Sequence, residues 1–141
     1  MAGPNQHRQL KDTCEALVRA GNGVLHWGWD DYLGATLAVF PSSDAAKVAA
    51  ILEKALPSSW DVKTASQASA PAKAQIDSMG GLRAGQRFFA SDVDHGAAVF
   101  AAWWPWGDGK KVSLRVGTVY PGAPATEVAE LTKELRSWFG I

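Results

Sequence analysis

A nearly unbroken apolar run, Ala97 to Trp106, is bracketed by Asp94, His95 and Gly96 on one side and by Gly107, Asp108 and Gly109 on the other. Asp and Gly favour turns, Asp because its side chain bonds nearby backbone and Gly because it reaches positive φ, so the run is bounded by chain reversals. It is far short of the roughly 20 residues a membrane helix needs. A strand is therefore expected, and one with apolar side chains on both faces must sit inside a sheet or have both faces covered. The flanking segments Arg87 to Val93 and Lys110 to Tyr120 are also extended in character, which gives a three-stranded antiparallel meander. In the last of these, Val112, Leu114 and Val116 share one face while Lys111, Ser113 and Arg115 share the other, so one side is core and the other polar.

The upstream sequence supplies the rest of an α+β domain. From Gln6 to Ala20, Leu10, Cys14, Leu17 and Val18 form one apolar helical stripe, and Gly21, Asn22 and Gly23 stop it. Val24 to Phe40 reads as a hairpin turning at Asp30 and Asp31. A second helix carries Val48, Ile51, Leu52, Ala55 and Leu56, with Ser43 as a cap and Pro57 as the stop. Trp60 to Ser66 alternates as a short strand near an edge, and Gln75, Ile76 and Met79 suit a short helix. After the meander, Pro124 opens a last helix with Val128, Leu131, Leu135 and Trp138 on one side and Gly140 at its end. The expectation is a single domain spanning 1–141, with a largely antiparallel sheet of about five or six strands covered by three or four helices.

Bulk properties narrow the function. The 141 residues include 14 Lys plus Arg and 14 Asp plus Glu, so no net field draws in nucleic acid or anionic membrane. The single cysteine, Cys14, rules out an intrachain disulfide framework and any multi-cysteine metal centre. With no apolar core behind a basic start in Met1 to Asp12, a cytoplasmic protein is expected. Cys14 lies on an apolar stripe, which predicts a raised pKa and an inert thiol. There is no Gly-x-Ser-x-Gly elbow and no dinucleotide-binding turn, so neither a catalytic residue nor a cofactor is expected from local motifs.

Three groups of residues remain as candidates. His26, with Asp30 and Asp31 nearby, and Asp92, Asp94 and His95 lie in two turns, and would make a small-ligand or enzymatic pocket if those turns met at one end of the sheet. Their plainer reading is local turn chemistry. Arg83 and Arg87 lie in a Gly-rich loop, Gly80 to Arg87, that could hold a phosphate or a partner's carboxylates, although its spacing matches no phosphate loop and a solvated loop that needs glycine is the simpler explanation. The seven Trp residues are the richest feature. Trp27 and Trp29 share a face in an extended segment, as do Trp104 and Trp106, with Trp103 opposite, and Pro105 should bring the strand near its end. Trp60, Trp103 and Trp138 suit the core. Trp27, Trp29, Trp104 and Trp106, with Arg83, Arg87 and Arg115, make an aromatic and cationic surface for another protein, as in a chaperone, inhibitor, toxin-neutralising protein or adaptor, or for a homodimer.

Overall fold

A computed structural model describes residues 4–91 and 97–141. The apolar run becomes β5 (Ala98–Pro105), flanked by β4 (Arg87–Ala90) and β6 (Lys111–Val119) in the expected meander. The N-terminal hairpin, β1 (Gly28–Asp30) and β2 (Ala35–Pro41), joins through β2 to β6, while β3 (Ser58–Asp61) pairs with β4. Every pairing is antiparallel, and the strand order is β1-β2-β6-β5-β4-β3. The central position of β5 follows from its side chains, since Ala98 through Trp103 are all buried.

Helices cover the sheet unequally. On the first face lie α1 (Pro4–Ala20), α2 (Ala45–Ala55) and α4 (Ala125–Phe139), which press Leu10, Cys14, Leu17, Val48, Leu52, Leu131, Leu135 and Phe139 onto Ala38, Phe40, Phe89, Val99, Ala101, Trp103, Leu114 and Val116. On the second face, among the described residues, lies one α-helix, α3 (Ala70–Ser78), whose Ala72 and Ile76 pack with Phe88, Ala90, Ala98, Phe100, Ala102 and Val119. The one buried polar side chain among the described residues, Thr36, donates from Oγ1 to the carbonyl of Val116 at 3.0 Å and so buries no unmet donor.

Three local readings shift. The strand expected from Trp60 to Ser66 instead spans Ser58–Asp61, because Asp61 Oδ1 accepts the backbone N–H groups of Lys63 and Thr64 at 2.9 and 3.0 Å and turns the chain. Trp27 precedes β1 rather than lying in it. In α4 the buried stripe is Leu131, Leu135 and Phe139, whereas Val128 is 46% exposed and Trp138 half-buried. That helix closes on Gly140 with φ +72, a left-handed end that glycine takes without strain.

One contact ties the two central strands together on the second face. Phe100 stacks on Phe88 at 5.4 Å and lies opposite Gly117, where a Cβ would come within 2.6 Å of the Phe100 ring. Only a residue without a side chain leaves room for the ring. Gly117→Ala should therefore cost about 1–3 kcal/mol of stability by overpacking, read by urea denaturation, and Phe100→Leu in the same chain should return part of it. A Gly117→Ala chain as stable as the parent would show that the ring moves aside freely.

Candidate functional site

Alternation along β6 places Lys111, Ser113 and Arg115 on the second face, and the register sets Ser113 opposite both Trp104 and Val39, with Arg115 opposite Leu37 and Ala102. Because α3 packs over β4, β5 and the C-terminal part of β6, among the described residues no helix packs on β2 or the start of β6 on this face. Trp106, just past β5, is 43% exposed, and Val39 is 39% exposed. Each indole here carries a cation. Lys111 Nζ sits 5.2 Å from the Trp106 ring and the Arg115 guanidinium 4.7 Å from the Trp104 ring. Trp106 Nε1 donates to Ser113 Oγ at 2.8 Å, which fixes the ring across the two strands. Trp104 Nε1 is buried and has no acceptor among the described residues.

Arg115 is held from a second direction. Its Nε donates to Asp30 Oδ2 at 2.6 Å across 85 residues of sequence, with the two side chains 19% and 13% exposed. Asp30 Oδ1 meanwhile accepts the backbone N–H of Tyr32 at 2.9 Å and, more loosely, that of Leu33 at 3.4 Å, so one carboxylate shapes the hairpin turn and positions the arginine. The hydrogen bond from Arg115 holds the Asp30 carboxyl below the usual carboxylate range, against desolvation that pushes it up. Beside this pair opens a cleft of about 540 Å³ lined by Asp30, Tyr32, Leu33, Ser78, Met79, Gly80, Trp104 and Arg115.

The sequence candidates divide between the two faces. Trp104, Trp106 and Arg115 come together on the second face. Trp27 and Trp29 lie on the first, packed against the larger core, with Trp27 edge-on to Phe139 at 4.8 Å and Arg136 5.0 Å from the Trp29 ring. Arg87 also faces that way, 4.5 Å from the Phe89 ring and 3.4 Å from Glu53 of α2, so it is apart from Arg115 and from the exposed loop residue Arg83. His26 is exposed before β1, while Asp92, Asp94 and His95 lie outside the described residues. Among the described residues, no three His, Cys, Asp or Glu side chains are grouped to hold a metal ion. Burial and, secondarily, Glu15 push the Cys14 thiol up to about 12, which leaves it protonated and unreactive. The residues that sequence reasoning missed, Tyr32, Leu33, Ser78, Met79 and Gly80, are distant in sequence, and their only signal was the loop composition around them.

The depressed Asp30 carboxyl sets a pH dependence. A carboxylate whose folded pKa is lowered stabilises the fold above its unfolded value near 3.9 and loses that contribution as pH falls through the folded value. Urea denaturation from pH 7 to pH 3 should show parental stability falling at the acid end more steeply than that of Asp30→Asn, which should already be about 1–2 kcal/mol weaker at pH 7. Parallel profiles would remove Asp30 as an acid-labile tie. No family model, curated protein or solved structure matches the chain.

Proposed function

We propose that the chain is a binding module that engages another protein through the second sheet face beside α3, along β2 and β6. The observation that supports it is the aromatic and cationic ladder of Trp104 with Arg115 and Trp106 with Lys111, set beside exposed Val39. Trp and Arg dominate binding hot spots because they bury a large area at little cost in side-chain freedom while keeping a polar handle. Here the rings are already held, Trp106 by Ser113 and Trp104 by the cluster under α3 and the Arg115 guanidinium. Docking onto them therefore orders few further groups, which favours affinity. The partner this face fits has an apolar centre for Val39 and Trp106 and an acidic rim for Lys111. We assign the protein to the cytoplasm, in keeping with its single, buried cysteine.

A photo-crosslinking amino acid at position 39, with a control at exposed Lys47 on α2, tests this in the producing cells. The expected result is one adduct of defined mass from position 39, absent from position 47, and weakened by Trp106→Ala by about the 2 kcal/mol or more of a hot-spot truncation. An adduct at twice the chain mass replaces the other-protein reading with a homodimer. Equal adducts at both positions, or none, overturn both.

A further inference from the structure

The cleft at the corner of this face has a chemistry of its own. Arg115 offers five N–H donors in a rigid fork. Its Nε is taken by Asp30, and the planar group lies by the Trp104 ring, so its orientation is set before anything binds. Among the described residues the two terminal nitrogens have no hydrogen-bond acceptor, and Arg115 lines the cleft. A carboxylate matches two parallel guanidinium N–H groups, whereas a neutral amide matches only one. Asp30 also lines the cleft, with its oxygens engaged by Arg115 Nε and the turn amides of Tyr32 and Leu33, and further walls are apolar or aromatic: Met79 at the end of α3, Leu33, and Tyr32, which is 93% exposed at the hairpin turn. Among the lining residues there is no second cation, and the Ser78 hydroxyl proton is already donated to the carbonyl of Gln75 at 2.7 Å. A multiply charged phosphate is thus poorly served, and a single carboxylate on an apolar body is served well.

We infer that the cleft between the β1–β2 turn and the C-terminal end of α3 binds a monocarboxylate carrying an apolar or aromatic group, its carboxylate on the terminal nitrogens of Arg115 and its body against Met79, Leu33 and Tyr32. Both a free small acid and the C-terminal residue of a peptide have this chemistry. The cleft shares Arg115 and Trp104 with the proposed docking surface but requires neither Val39 nor Trp106, so a failure of ligand binding and a failure of partner docking are read separately.

The test titrates the ¹⁵N-labelled chain with N-acetylphenylalanine, with its amide, and with acetyl-Gly-Gly-Phe ending in a free carboxylate. The signals followed are the Arg115 Nε–H and the Trp104 indole N–H. N-acetylphenylalanine should shift both saturably with a Kd on the order of 1 mM, and the amide should bind at least about tenfold more weakly, a difference of about 1.4 kcal/mol. Arg115→Lys, which keeps a cation for Asp30 but loses the fork, should lose most of the binding. Met79→Glu, which sets a negative charge in the cleft without touching the ion pair, should abolish it while the remaining spectrum stays in place. Tighter binding of acetyl-Gly-Gly-Phe identifies a peptide end as the ligand, and weaker binding identifies a free acid. Equal affinity for acid and amide, no saturable shift, or unchanged binding by Met79→Glu overturns the inference.

Discussion

The constraint on which this fold depends is that β5 has no charged, amide or hydroxyl side chain to give to water on either face. Burying one face takes α1, α2 and α4, and among the described residues the helix that buries the other is α3, of nine residues. Alternation then decides the outcome on β6, whose Val112, Leu114 and Val116 go under the three helices while Lys111 and Ser113 emerge beyond α3 and Arg115 lies at its C-terminal end. The open face is thus a by-product of covering a two-sided apolar strand with helices of unequal extent. Long cations laid over the indoles shield much of the aromatic surface that this arrangement leaves outside.

The same device recurs on both faces. Arg136 lies by Trp29 and Arg87 by Phe89 on the first, and Arg115 lies by Trp104 and Lys111 by Trp106 on the second. Along the sheet margin on the first face these pairs rim a core. On the second face they lie beside the end of α3 rather than under a layer of helices, and there Asp30 adds a fixed carboxylate that stops Arg115 from swinging away. The ion pair thus fixes geometry as well as contributing stability, since the bond to Arg115 outweighs the desolvation of Asp30.

The fold was legible because its signals were periodic. The two-sided run Ala97 to Trp106, the alternation along β6, and the stripes Leu10, Cys14, Leu17 and Val48, Leu52 each carried enough apolar area to decide their own partners. Where one polar contact governs, periodicity misleads, as at Asp61, whose carboxylate turns the chain and ends β3 well before Ser66, where alternation from Trp60 would have carried it. The aromatic pattern located Trp104, Trp106 and Arg115 on one face but gave no means of seeing that Trp27 and Trp29 lie on the other. Which face a strand presents depends on its neighbour's register, and β2 meets β6 only after most of the chain has intervened. For the same reason the Asp30 to Arg115 contact, with its members 85 positions apart, has no local trace.

That long-range pairing orders the assembly of the protein in time. The β4–β5–β6 meander is made of neighbours in sequence and closes short loops, whereas seating β2 on β6 closes a loop of about 80 residues, as the Thr36 bond to Val116 measures. Loop entropy of this kind slows the step that incurs it. The meander and the helices nearest it can form early, but β6 keeps an unpaired edge until the N-terminal hairpin arrives. During that interval the hydrogen-bonding edge beside Leu114 and Val116 is open to any extended chain. The hairpin is therefore, besides a wall of the cleft, the element that shields the centre of the sheet from intermolecular pairing during folding.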